Sequence, residues 1–396
     1  MQKSSTGHIR QRKNGLWEGQ YVYQREQRSI YGSTKEEVSK LLTQIINSIE
    51  SGTYIRPNQH TLESWLQEWL HSYARPSLRP STFVNYEQIV ERHFSGTKLG
   101  RVKLNNLSTR MLQAFFREKL ITGRADRKSG GLSPKTLKNI KYMLHTALEQ
   151  AHYNDLLLSN PVNGVRLPVP DGPEQRVLTP AEKERICTYA ATVCTPAAQG
   201  VILLLTCGLR RGELLGLQWQ DVDLENGMIK IRHTLSRLKK FDVSQSAYPY
   251  IRLDTYAPES NRTAIYLGPV KTRKSARTIY LPQRAKDALT LLHSIGTQFA
   301  SGRSEFNPHD LVLCTEEGHP LDAKVLEDGF QSILTTLQLK RVNLHATRHT
   351  FATEALQKST DIITVSEILG HTKPSTTLDM YGHTFDDRKR ALMSQM

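Results

Sequence analysis

Apolar residues set the rhythm of the chain, and the rhythm changes several times. Between His8 and Tyr31 they alternate with polar ones in three short runs, His8 to Arg12, Leu16 to Gln24 and Arg28 to Tyr31. Period-two runs separated by Asn14-Gly15 and a polar Arg25-Glu26-Gln27 turn predict a three-stranded sheet. Ser33 or Thr34 then caps a helix whose apolar face is Leu41, Leu42, Ile45, Ile46 and Ile49. Gly52 to Gln59 reads as linker, which closes a first unit over residues 1–55.

From Thr61 the period becomes helical. Leu62, Trp65, Leu66, Trp69 and Leu70 form an i, i+3, i+4 stripe suited to core packing. A turn containing Pro76 and Pro80 precedes a helix over about Ser81 to Phe94, and Ser108 caps another with Met111, Leu112, Phe115 and Phe116 inward. Ser133-Pro134 opens a fourth, a cap followed by proline at the first helical position. These helices span residues 60–162. Residues 163–176 belong to a linker stiffened by Pro161, Pro168, Pro170 and Pro173. Thr179-Pro-Ala-Glu182 is a capping box, so a further domain occupies 177–396. The fold class expected is multidomain and mainly α, with small β-sheets at the N-terminus and within the last domain.

In that last domain Val201 to Leu205 is a buried-type apolar run, and Met228 to Arg232 begins a small sheet. Leu235 to Tyr266 is longer than a hairpin needs and reads as an insertion open to DNA contact, partner contact or padding. His345 to about Leu356 has helical spacing, and Ile362 to Leu369 is a second short helix stopped by Gly370. Ser375 is placed to cap a third, which carries Tyr381.

Charge narrows the function. A formal net charge of +15 calls for a polyanionic partner. Arg10, Arg12, Lys13, Arg25 and Arg28 decorate the N-terminal sheet among Trp17, Tyr21 and Tyr23, and such a sheet can enter a major groove. Arg75, Arg79, Lys135, Lys138 and Lys141 are candidates for contacts to DNA backbone from the helical region. The four cysteines make no C-x-x-C pair, and the longest apolar run is far too short to span a membrane. Together these predict a cytoplasmic protein with no membrane partner.

Candidate chemistry gathers near the C-terminus. His345 and Arg348 stand three apart on one helix face, His371 follows the Gly370 cap, and Tyr381 comes ten residues on. Arginine binds phosphate oxygens through a planar fork that never loses its charge. Tyrosine can form a covalent phosphodiester, and histidine can move protons at neutral pH. His345 and His349 also stand four apart, a zinc-compatible spacing. The residues between them are Ala-Thr-Arg, whose charge would repel a cation, so no metal is expected.

H-x-x-R, then L-G-H, then a tyrosine resembles the C-terminal signature of tyrosine recombinases, the phage-integrase family. TCGLRRGELLGLQWQDVD resembles the family's first-arginine motif at Arg210, and VKTRKSARTIYLP its lysine motif at Lys271. The N-terminal unit is similar to the arm-binding domain of conjugative-transposon and phage integrases, and residues 60–162 to the core-binding domain. The resemblance implies a catalytic set of Arg210, Lys271, His345, Arg348, His371 and the nucleophile Tyr381; Glu213, three residues after Arg210, is placed to orient it through a charge-assisted bond. It implies recombination without metal, ATP or other cofactor by a homotetramer on double-stranded DNA with core and arm sites, open to an excisionase-type accessory protein. Two other readings stand beside it. A topoisomerase-like enzyme would have no use for a second DNA site, and a non-catalytic binder none for a tyrosine beside two arginines.

Overall fold

Two tight turns shape the N-terminal sheet, with Gly15 at φ 84° and Arg25 at φ 68° in the left-handed region. The computed structural model describes residues 7–23, 25–52, 54, 60–124, 130–168, 176–254, 257–358, 361–375, 377 and 393. Strands β1 (His8–Gln11), β2 (Trp17–Tyr23) and β3 (Glu26–Gly32) pair antiparallel in sequence order. Tyr23 pairs with Glu26, so the expected Arg25-Glu26-Gln27 turn tightens and Glu26 and Gln27 join β3. Helix α1 (Lys35–Glu50) is capped by Thr34 and covers the sheet with Val38 and Leu42. Leu41, expected on that face, is 39% exposed, because the stripe through 38, 42, 45 and 49 leaves it off to one side. Tyr54, in the expected linker, packs back on the sheet and bonds Tyr21 through its hydroxyl.

The helices of the same unit bury the stripes that the sequence spelled out. Helix α2 (Leu62–Trp69) runs through a π-turn at Leu70–Ala74 into α3 (Arg75–Ser77). Pro76 thus lies in the last helical turn, where the expectation was a connecting turn. Helices α4 (Pro80–His93), α5 (Thr109–Thr122) and α6 (Pro134–Tyr153) follow, the last two capped by Ser108 and Ser133. Trp65, Leu66, Phe94, Leu112, Phe116, Leu137, Ile140 and Leu144 are at most 1% exposed, and the Trp65 indole donates to Ala147 O. Each such side chain contributes about 1.5–3 kcal/mol on burial. Met111, expected inward, is 42% exposed on the far side of α5. Val162 and Val165 are buried, so the proline-rich segment begins as packed structure, and 169–175 lie outside the described residues.

The chain divides into two units, Met1–Arg75 with Phe83–Asp171 and Pro76–Thr82 with Gly172–Met396. The second is built on α7 (Pro180–Thr192), which starts with the predicted Thr179–Glu182 capping box, and on α8 (Pro196–Cys207), buried along almost its whole length. The short α9 (Arg211–Leu215) follows the left-handed cap Gly208. Strands β4 (Val222–Asp223) and β5 (Met228–Ile231) begin one small sheet. A second sheet follows with β6 (His233–Lys239), β7 (Ile251–Arg252) and β8 (Thr263–Pro269), in the order β6-β8-β7. Strand β9 (Arg277–Tyr280) completes the first sheet in the order β4-β5-β9.

The supposed insertion is flanked by the two strands of a hairpin, and residues 240–262 form the long connection between them. Leu235 to Lys239 and Thr263 to Tyr266 are ladder residues, with His233 opposite Pro269 and Lys239 opposite Thr263. Between them, Phe241 stacks on buried Tyr266 and Tyr250 meets both edge-on. Tyr256 lies outside the described residues. Helices α10 (Gln283–Ala300), α11 (Ala323–Thr336), α12 (His345–Lys358) and α13 (Ile362–Leu369) complete the unit. Among the described residues, no helix is long and apolar enough to cross a membrane.

Candidate active site

Gly370 caps α13 at φ 63°, and the end of this helix is where the charged residues meet. A helix leaves its last carbonyls without partners in the helix, and they form the negative end of its dipole. Here three arginines from three other elements take them in succession. Arg277 Nε donates to Ile368 O at 2.5 Å, Arg348 Nη2 to Leu369 O at 2.6 Å, and Arg210 Nη2 to Gly370 O at 3.1 Å. A side chain at 370 would carry a Cβ 2.9 Å from Arg277 Nη1, so both φ and space demand glycine there.

Arg348 is 3% exposed, and a buried charge needs compensation. It receives that from a second helix end as well, since Nη1 donates to Gly208 O at 2.7 Å, past the C-terminus of α8. Arg210 is the residue before α9. Its backbone N–H and its Nη1 both bond the Glu213 carboxylate, at 3.0 and 2.6 Å. Arg277 Nη2 donates to Oε2, the oxygen that also accepts the Arg210 N–H, at 2.9 Å. Burial works to raise the Glu213 pKa, but the Arg277 bond and the charges of Arg277 and Arg210 hold it below the usual range, so it stays ionised. The expected orienting role of Glu213 has this geometry behind it.

His371 sits between these groups. Its Nε2 is 3.0 Å from Arg348 Nη2, and its Nδ1 is 2.8 Å from the hydroxyl of buried Thr377. Arginine can only donate, so Nε2 accepts and the ring proton lies on Nδ1, facing Thr377. Burial, then the charges of Arg348, Arg210 and Arg277, push this histidine down to about 4. His349 is likewise pushed to about 4, by burial and by His345 and Arg348.

Between pH 6.5 and 4 the unfolded chain protonates both rings while the folded chain does not, so stability is present above 6.5 and lost as pH falls toward 4. We expect the thermal midpoint to drop between pH 7 and pH 5, and to drop less in His349→Gln. Equal slopes in the two proteins would contradict this.

Lys271 follows β8 and is exposed beside the same cleft, which Arg210, Thr234, Ser236, Thr272 and His371 also line. His345 is exposed at the first turn of α12, its ring 4.7 Å from that of His349. Tyr381 lies outside the described residues; the helical turn leading toward it begins at Pro374, one residue before the expected cap Ser375. Sequence reasoning missed Arg277 and Thr377. For Arg277 a signal existed: it is two residues before the inward Ile279 on β9, and a charge on the inward face of a strand needs a partner.

The expected DNA contacts divide. Arg10 and Arg12 are both bonded to Glu18, which is 1% exposed, and Arg28 pairs with Glu26. Lys13, Arg25, Lys135 and Lys138 are exposed, while Lys141 donates to Val165 O at 2.6 Å. Arg75 lies over the ring of Phe83. Arg79 donates to Pro269 O, Val270 O and Lys271 O and covers Tyr248, so its guanidinium supports the lysine segment.

Residues 176–388, more than half of the chain, match the phage integrase family, and residues 61–121 match its N-terminal SAM-like domain. The chain belongs to the phage integrase family. It is a tyrosine recombinase of that family, resembling the integrases of conjugative transposons. It is 26% identical over 371 residues to a XerC-like tyrosine recombinase of Caldanaerobacter subterraneus subsp. tengcongensis, covering 91% of this chain and 89% of that protein. It is 23% identical to the ICEBs1 integrase of Bacillus subtilis, over 80% of this chain and 78% of that one. In fold it is similar to the Tn1549 transposon integrase in complex with a circular intermediate DNA. That likeness has a TM-score of 0.64 at 21% identity, over 85% of this chain and 99% of the other. A lambda integrase tetramer bound to a Holliday junction gives 0.53 at 16% identity, over 92% of this chain and 96% of the other.

Proposed function

We propose that this chain cuts and rejoins double-stranded DNA at specific sites to integrate and excise a mobile genetic element, through a 3′-phosphotyrosine intermediate. One observation carries the assignment of the site: three guanidinium groups converge on a single helix end and, among the described residues, one carboxylate, Glu213, is bonded to them. That excess of oriented positive charge suits a phosphodiester, whose charge grows at the transition state.

In the reaction, Tyr381 Oη attacks the scissile phosphorus and gives its proton to His345. Arg210 and Arg348 hold the two non-bridging oxygens. The bond from phosphorus to the 5′ oxygen breaks, and Lys271 protonates that oxygen. An incoming phosphate competes with His371 for Arg348 Nη2, and its negative charge favours the protonated ring, which then donates through Nε2. The covalent intermediate conserves the bond energy, so religation needs neither metal nor ATP. Two such exchanges in a four-protomer synapse yield recombinant duplexes. The basic N-terminal sheet reads a separate arm site, the helical region grips the core site, and an excisionase-type protein sets direction. The reaction takes place in the cytoplasm, where the DNA lies.

A core-site duplex with a nick should trap a covalent protein–DNA adduct, and two labelled duplexes should exchange strands. Adduct without exchange favours a relaxing enzyme, and neither favours a binder. Deleting residues 1–55 should shorten the footprint on long DNA and reduce its salt dependence while core cleavage persists. An unchanged footprint would sink the arm-site role.

A further inference from the structure

Arg277 is 7% exposed and every nitrogen of its guanidinium is engaged. Nε donates to Ile368 O, Nη1 to Ser275 O at 3.0 Å, and Nη2 to Glu213 Oε2. Its position at the start of β9 is set by pairing with Ile231, the last residue of β5. From there it touches two segments that hold proposed phosphate ligands. Glu213 is the carboxylate that fixes the backbone and fork of Arg210. Ile368 O belongs to the cap that turns the chain into His371, whose own N–H returns to Ser366 O.

We propose that Arg277 is a positioning residue that sets Arg210, through Glu213, and His371, through the α13 cap, against the scissile phosphate. The inference rests on the site reading above. The Ser275 bond anchors the guanidinium from its own side, at the end of the turn after Lys271. A planar fork with three fixed partners holds each of them in one orientation, which a flexible ammonium cannot do. Arginine at 277 therefore acts as a rigid spacer between the α9 start and the α13 end. Misplacing a phosphate ligand by about 1 Å costs on the order of 10²-fold in rate, and that is the effect expected of its loss. Arg277 makes no contact with DNA in this reading.

The test uses the full chain and a nicked duplex bearing its selected core site, in two versions: an ordinary phosphodiester and one with sulfur at the 5′ bridging position. A thiolate leaves without an acid, so the second version relieves any defect that acts through Lys271. Arg277→Met should bind duplex as the unchanged chain does, yet form adduct roughly 10²-fold more slowly on both versions, well below its thermal midpoint. Arg277→Lys, which keeps the charge beside Glu213, should remain folded and be slowed by about tenfold or more, since the fork is lost. If Arg277→Met loses its cooperative transition, the lysine variant carries the test alone. Full-rate cleavage by the folded variant overturns the proposal. So does a slow rate restored by the sulfur substrate, or one that only tracks the fraction folded. Absence of adduct with the unchanged chain would instead overturn the site reading, and this inference with it.

Discussion

Tyr381→Phe is expected to abolish the covalent adduct entirely while leaving duplex affinity within a few-fold. The substitution removes one hydroxyl, whose net hydrogen-bonding contribution is on the order of 1 kcal/mol. The chemistry, by contrast, has no substitute for it, because the intermediate is an ester of that oxygen. Of the fifteen tyrosines, one of those described is a credible rival. Tyr250 lines the same cleft as Arg210 and Lys271, its ring packed against Phe241 and Tyr266. The decisive experiment pairs Tyr381→Phe with Tyr250→Phe on a nicked core-site duplex, resolved on a denaturing gel. Adduct should vanish in the first and persist in the second. The reverse would move the nucleophile to the β6–β8 hairpin and end the assignment of Tyr381.

How far the sequence reaches depends on which groups carry the contact. Helix starts were legible because caps are side-chain chemistry: Thr34, Ser108, Ser133 and Thr179 each bond the backbone as their residue types predict. Core stripes were legible where a run was long, as at Leu62 to Leu70, and less so where one apolar residue sat beside the stripe. Leu41 and Met111 are of that second kind. The π-turn at Leu70–Ala74 defeated the reading of Pro76, since its wider hydrogen bond lets the helix continue into the proline. The hub around α13 was out of reach for a different reason. Its acceptors are the carbonyls of Ile368, Leu369 and Gly370, and a carbonyl looks the same in every residue. Only the donors leave a trace, and Arg277 left a faint one through strand alternation.

The same hub makes Arg348→Ala the second large loss, in two quantities that can be read apart. Removing the guanidinium takes a preorganised donor from the phosphate, and deletion of one such donor costs about 10²–10³-fold in rate, or roughly 3–4 kcal/mol. It also strips Gly208 O and Leu369 O, at the ends of α8 and α13, of their bonds to a cation. Each carbonyl left buried without a partner costs about 1–3 kcal/mol, so a lowered thermal midpoint is expected alongside. His371 loses the charge that contributes, after burial, to holding it near 4, and its Nε2 loses its donor. Arg348→Lys separates the effects. An ammonium in the same place can serve one helix end but cannot span both and still reach a phosphate. It should therefore recover part of the midpoint and little of the rate. Single-turnover cleavage at saturating duplex, taken at least ten degrees below each midpoint, reads the catalytic part alone. If Arg348→Lys recovered the rate in step with its stability, Arg348 would be a structural tie between two helix ends, and the phosphate would depend on Arg210 alone.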